Sequence, residues 1–223
     1  MKMNNTHIIR SKRKTLSVEI TEGGSVVVRA PLRMRDRDID RFLAERAGWI
    51  HRMVQKQRTA FAARPKRRFE TGESFFYLGK PYALRFDPNL SRSIICEGDL
   101  CIREDVSHKA QSLIETWYKS RARFIFQERV QVYAPAMNAP YISLRLSSAK
   151  TRWGSCGAEN TLNFNWRLVM APLAVIDSVI VHELAHIHHK NHGVRFKRLV
   201  ERHAPDYKAC DAWLKENRLQ IEW

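Results

Sequence analysis

Residues 182–192 read HELAHIHHKNH and hold five of the nine histidines of this 223-residue chain. They follow a mainly apolar stretch, residues 173–181, that starts directly after Pro172 and is interrupted by Asp177 and Ser178. Proline is favoured at the start of a helix, and a run of this length without polar periodicity is typical of a buried helix. The sequence therefore predicts a buried helix from residue 173 to about Lys190.

The spacing of two histidines in this helix points to a metal. Because an α-helix turns once every 3.6 residues, His182 and His186 point from the same face, one above the other. Two imidazoles in this arrangement can share one zinc ion, and Ni²⁺ or another divalent transition metal can occupy the same ligands. Glu183 lies about 100° around the helix from His182, near enough to reach a water molecule beside the ion without being a ligand.

A catalytic zinc site takes three protein ligands and leaves one position open. Two downstream histidines can supply the third ligand. His192 can turn back towards the ion if the helix ends near Lys190. His189 shares the face of His186, but a continuing helix would carry it ~10 Å along the axis from His182. The geometry favours His192, with His189 as the alternative.

This group of residues predicts a zinc-dependent peptidase. The zinc ion would lower the pKa of a water molecule, and Glu183 would take the proton as general base. Tyr207 and His203, in the helices that follow, are candidate donors to the developing oxyanion. Three alternatives stay open: a His-rich helix surface without a metal site, a closed structural zinc site, for which Cys156 is the nearby candidate fourth ligand, and a protein that binds metal without hydrolysing anything.

The chain as a whole predicts an α+β fold in three regions. Residues 1–68 form a basic β-hairpin, turning at Gly23-Gly24, and a helix capped by Asp36. Residues 69–105 form short antiparallel strands, in which Cys96 and Cys101 are hairpin neighbours rather than metal ligands. Residues 106–223 form the core that carries the HELAH helix.

Positive charge is concentrated at the beginning of the chain. The net charge is +16, and residues 1–68 hold 18 Lys and Arg against six Asp and Glu. Such a block favours an anionic partner, nucleic acid first, and gives an alternative function as a nucleic-acid-associated protein; a plain solubility role is the competing interpretation. The candidate nucleic-acid contacts are Arg10, Lys12, Arg13, Lys14, Lys66, Arg67 and Arg68.

Four aromatic residues near this block could stack on bases: Phe42, Trp49, Phe61 and Phe69. The helical spacing of Phe42 and Trp49 favours core packing for these two.

Several classes of protein are disfavoured by composition. Residues 1–16 are polar and basic, without the apolar segment of a signal peptide. No apolar run reaches the ~20 residues of a membrane span. The four scattered cysteines do not suit a secreted disulfide framework. We expect a cytoplasmic protein with reduced thiols.

Several motifs together resemble one known family. The HELAH helix, TRWGSC at 151–156, LNFNWRL at 162–168 and YLGKPY at 77–82 are similar to those of the YgjP-like predicted metal-dependent hydrolases. The resemblance implies a zincin-like metallopeptidase core in the C-terminal half, with His182, His186 and His192 as ligands, Glu183 as general base and a protein or peptide as substrate. The motif is also similar to those of SprT-like and WLM proteases, some of which act on proteins crosslinked to DNA.

Residues 162–168 alternate apolar and polar side chains, which predicts a strand. We expect an edge strand beside the HELAH helix, along which an extended substrate could bind through backbone hydrogen bonds. Asn163 and Asn165, on its polar face, are candidate substrate contacts.

Overall fold

The structure, a computed structural model, describes residues 6–21, 23–62, 67–149 and 151–221. The chain divides into two compact units, residues 1–65 and 66–223. Both contain helices and small sheets, which confirms the α+β prediction. The division of the second unit at residue 105 and the zincin-like arrangement of its core stay predictions. In the described part of the chain, no helix combines the length and the hydropathy that a membrane span requires.

The first unit combines a three-stranded sheet with two helices. Strands β2 and β3 pair antiparallel, as the hairpin prediction requires, and β1 pairs parallel to β3 on its other edge. The core of the unit consists of Val26, Val28, Ala30, Ile39 and Ile50. The elements are β1 (Thr6–Ser11), β2 (Ser17–Ile20), β3 (Val26–Pro31), α1 (Asp36–Glu45) and α2 (Ala47–Ala62).

The single helix predicted after Asp36 is two helices. Asp36 is the first helical residue and Arg35 is the N-cap, so the prediction of Asp36 as the cap is wrong by one position. The chain leaves helical geometry at Arg46, with φ −109° and ψ 8°. Gly48, a weak helix former, lies just after this break.

The second unit begins with a four-stranded sheet in the order β4-β5-β7-β6. Its strands are β4 (Ser74–Tyr77), β5 (Lys80–Asp87), β6 (Ile94–Glu97) and β7 (Asp99–Arg103). β5 and β7 pair parallel, which differs from the antiparallel pairing expected throughout. The chain passes to β6 at the sheet edge, and β7 therefore returns beside β5 in the same direction. Cys96 and Cys101 lie in the β6–β7 hairpin as free thiols.

The rest of the second unit surrounds one buried helix, α4. A 3₁₀ helix (Glu104–Lys109) leads into α3, and a second (Trp166–Met170) precedes α4. A three-stranded sheet in the order β8-β10-β9 lies between α3 and that second 3₁₀ helix in the sequence. The elements are α3 (Ala110–Ala136), β8 (Ser143–Ser147), β9 (Gly154–Cys156), β10 (Thr161–Asn165), α4 (Leu173–His188), α5 (Val194–His203), α6 (Tyr207–Glu216) and α7 (Arg218–Ile221).

Two sets of contacts fix α4 in place. The guanidinium of Arg129 on α3 donates two hydrogen bonds to the carboxylate of Asp177 on α4, at 2.7 and 2.8 Å. At the start of α4, Gly79 has φ +79°, and a Cβ there would lie 2.7 Å from Cγ of Pro172. Only glycine allows this turn to approach Pro172 so closely. α4 is therefore held in place both at its start, by the Gly79 turn, and within the helix, by Arg129.

Candidate metal centre

The end of α4 determines which histidines converge. The helix ends at His188, two residues before the predicted end, and His189 has an extended backbone with φ −133° and ψ 104°. The chain then reverses, and α5 begins at Val194 after Gly193. The reversal carries His192 back to the face of α4 on which His182 and His186 lie.

Three imidazoles meet at this face. The Nε2 atoms of His182 and His192 are 3.2 Å apart. One nitrogen atom from each of His182, His186 and His192 lies within 4.8 Å of the others. Two nitrogen ligands of a tetrahedral zinc ion lie ~3.3 Å apart, because each Zn–N bond is about 2.05 Å. The separation between His182 and His192 matches this value, and the three imidazoles together could hold one divalent transition-metal ion.

The other two histidines of the stretch have structural contacts. Nδ1 of His186 is 3.0 Å from the backbone carbonyl oxygen of His189. A proton on Nδ1 donates to this oxygen and leaves Nε2 of His186 as the ligand atom, which is the usual arrangement for metal-binding histidines. Nε2 of His188 is 3.0 Å from the carbonyl oxygen of Met137. His189 therefore contributes its carbonyl group to the site, and its imidazole lies outside the cluster of three.

Phe196, from the first turn of α5, packs against the whole cluster. Its ring centroid is 4.9 Å from that of His182, 4.7 Å from that of His186 and 4.7 Å from that of His192. The Phe196 side chain is buried. A single buried ring in contact with all three imidazoles limits the rotamers that each can adopt. An apolar residue four positions after His192 was all that could be read of this role along the chain.

Phe196→Leu is expected to weaken metal binding about tenfold, since leucine keeps the site apolar but removes the ring that restricts the three imidazoles. Competition with a chromophoric chelator measures the metal affinity without depending on catalysis. Val194→Ala, at an exposed position on the same helix, is the matched control and should bind metal like the wild type. Equal affinities for Phe196→Leu and the wild type would show that the ring contacts do not organise the site.

Partial burial of His182 and His186 suits these two imidazoles to metal binding. Removal from water and the neighbouring imidazoles of His186 and His192 lower the pKa of His182 to about 4. Burial likewise lowers the pKa of His186. Both imidazoles are therefore neutral at neutral pH, and neutral imidazole is the form that binds a metal ion.

Glu183, the residue after His182 on α4, has a buried side chain. Burial raises the pKa of Glu183 to about 7, against the opposing effects of the Arg152 charge and of a hydrogen bond from the backbone N–H of Cys156. The side chain lies against Gly154, where a Cβ would come within 2.6 Å of both Cγ and Oε1 of Glu183. Strand β9 therefore contacts this carboxyl group directly. TRWGSC is recognisable as a motif in the sequence, but the contact between its Gly154 and Glu183 is visible only in the structure.

The prediction of an edge strand at residues 162–168 is wrong. Strand β10 ends at Asn165 and lies between β8 and β9, so both of its edges are paired. Asn165 is buried; its side chain accepts a hydrogen bond from the N–H of Arg167 and donates one to the carbonyl of Ala149. These contacts fix the end of the strand locally, and β9 is a strand of this sheet that lies against Glu183, through Gly154.

The remaining candidates for substrate or transition-state contacts lie in three places. Asn163 is half-buried on β10, and its amide donates to the carbonyl of Thr161 at 3.4 Å. The hydroxyl of Tyr207, at the start of α6, is 3.5 Å from a carboxylate oxygen of Glu201. His203 is the last residue of α5 and is half-buried. Their roles stay predictions.

Some of the predicted nucleic-acid contacts are bonded to other groups of the protein, and others are exposed. Arg10 is bonded to the carbonyls of Pro31, Leu32 and Met34 and to Asp36. In the second unit, Arg67 is bonded to Glu73 and to the carbonyls of Ser74 and Gln220. Arg13 is half-buried, with one guanidinium nitrogen 3.5 Å from the hydroxyl of Thr15. Exposed positions are occupied by Lys12, Lys14 and Arg68, and Lys66 lies outside the described residues.

A buried helix that carries HExxH, together with a third histidine returned by a chain reversal, is the site of a metal-dependent hydrolase. The family model for the YgjP-like metallopeptidase domain matches residues 14–217, and the chain belongs to this family. The family predicted from the motifs is thus confirmed. Comparisons with curated proteins and with solved structures gave no significant match.

Proposed function

We propose that this protein is a zinc-dependent peptidase in which Glu183 acts as general base. The observation that carries the proposal is the convergence of His182, His186 and His192 on one face of α4, the helix on which the next residue after His182 is the buried Glu183. A divalent ion held by these imidazoles supplies a Lewis acid that polarises a carbonyl group and lowers the pKa of water. Among the described residues no fourth His, Cys, Asp or Glu joins the cluster, which supports an open catalytic site over a closed structural one.

In this proposal Glu183 moves the protons of the reaction. Its carboxylate accepts a proton from the attacking water and later donates it to the leaving amine. The buried surroundings of the group make its carboxylate a stronger base than one in water. The contact with Gly154 and the hydrogen bond from the N–H of Cys156 hold the carboxylate in one orientation.

We infer that the substrate is an extended peptide bound along β9. Within the described residues, β9 pairs with β10 on one edge only, and its Gly154 touches Glu183. Addition of a peptide strand to an open sheet edge gives affinity through backbone hydrogen bonds and requires little of the peptide's sequence. Such a strand would pass beside the general base.

A pair of histidine variants tests the metal site. His192→Ala is expected to weaken metal binding about 10- to 100-fold, because one of three ligands is lost, and hydrolysis should fall with metal occupancy. His189→Ala is the matched control: only its backbone carbonyl contacts His186, so metal binding should be retained. Elemental analysis after dialysis gives the metal-to-protein ratio, and an unfolded casein-type substrate gives the activity. Full metal content in His192→Ala, or its loss in His189→Ala, would contradict the proposed ligand set.

A further inference from the structure

Helix α2 presents an exposed face that is both cationic and aromatic. Trp49, Arg52 and Lys56 follow one another at positions i, i+3 and i+7, which lie on one side of a helix. All three are exposed, and Trp49 retains 45% of its accessible surface. The prediction that Trp49 packs in the core is therefore wrong. The core-facing side of α2 is formed by Ile50, with Val54 half-buried beside it.

Within the part of the first unit that the structure describes, the positive charge of this face has no acidic partner. Residues 46–69 contain eight Lys and Arg and no Asp or Glu. Among the described residues, neither Arg52 nor Lys56 takes part in an ion pair or a side-chain hydrogen bond. Other arginines of the same unit do pair with acidic side chains, namely Arg10, Arg29, Arg41 and Arg46. The face of α2 is thus a site where an anion would meet unpaired cations.

We propose that this face of α2 binds single-stranded nucleic acid without sequence preference. Trp49 stacks on a base, and Arg52 and Lys56 contact phosphates along the same strand. An exposed aromatic ring beside cations is the combination that single strands use, because every unpaired base offers a face for stacking. Trp49 and Lys56 are ~10 Å apart along the helix axis, seven residues at 1.5 Å each, so separate nucleotides can reach them.

Two other anionic partners fit this face less well. A duplex offers phosphates to Arg52 and Lys56, but its bases are already stacked and leave Trp49 without a partner. An anionic membrane would require a continuous apolar stripe for insertion. The apolar side of α2, which includes Ile50 and Val54, is already packed in the core of its own unit. The proposal is independent of the metal centre.

Fluorescence anisotropy with a labelled single-stranded oligonucleotide of mixed sequence tests the proposal on the full chain. The wild type is expected to bind at 50 mM salt and to weaken steeply towards 200 mM. Trp49→Ala should lower the affinity about tenfold through lost stacking. The double variant Arg52→Gln/Lys56→Gln should reduce the slope of log K against log salt by about 1.4, at ~0.7 for each lost phosphate contact.

Matched variants separate this face from general basicity. Arg29→Gln/Arg41→Gln removes the same charge from exposed, ion-paired positions, and Phe61→Ala removes another exposed aromatic ring of α2. Both should bind like the wild type. The proposal is overturned by absence of binding at 50 mM salt, or by equal losses in the control variants. It is also overturned by tighter binding to duplex DNA that is insensitive to Trp49→Ala, or by binding to phosphatidylglycerol vesicles alone.

Discussion

Glu183→Gln is expected to lower peptide hydrolysis about 10³-fold while the metal stays bound. Glutamine preserves the size and shape of the buried side chain but cannot accept a proton, and a positioned general base contributes roughly 10²–10⁴-fold. The cluster of metal-binding atoms consists of the three imidazoles and does not include this carboxylate. Metal stoichiometry and the turnover of an unfolded protein substrate should be measured on the same sample.

Glu128→Gln is the matched control for this experiment, because Glu128 is an exposed carboxyl group on α3. It should leave both metal content and turnover unchanged. Wild-type turnover in Glu183→Gln would remove Glu183 from the role of general base. Loss of the metal in Glu183→Gln would instead show that the carboxylate is needed for metal binding, contrary to its proposed role.

Gly154→Ala is expected to lower turnover about 10²-fold through displacement of Glu183. Gly154 is not among the glycines with positive φ, so its backbone conformation is open to alanine. The added Cβ would lie 2.6 Å from Cγ and Oε1 of Glu183, and the carboxylate must move by about 1 Å to relieve this contact. A displacement of about 1 Å of a catalytic group can cost 10²-fold in rate.

Gly157→Ala provides a close control for this substitution. Gly157 also lacks a positive φ, and a Cβ there would lie 3.6 Å from the carbonyl oxygen of Thr161, an ordinary contact distance. Turnover numbers and metal content of the two variants can be compared directly. If Gly154→Ala binds metal and turns over like Gly157→Ala, then close approach of β9 does not position Glu183.

Two predictions from short-range spacing agree with the structure. The 3.6-residue repeat places His182 and His186 on one face of α4, and Gly23-Gly24 marks the turn between β2 and β3. The exposed face of α2 shows where such reasoning fails. Helical spacing places Trp49 near the apolar side of α2. Other elements of the unit pack against only part of that side, and the sequence does not show which part. Trp49 lies outside the packed part and is exposed.

The amino-acid sequence alone determined the α+β class, the buried helix with His182, Glu183 and His186, and the family, because these follow from residue spacing and motifs along the chain. Only the tertiary structure decided that β10 is a central strand, that Gly154 contacts Glu183 and that Phe196 supports the three imidazoles. Strand order and close approach depend on contacts between elements far apart in sequence, and such contacts leave no periodic signal in the sequence itself.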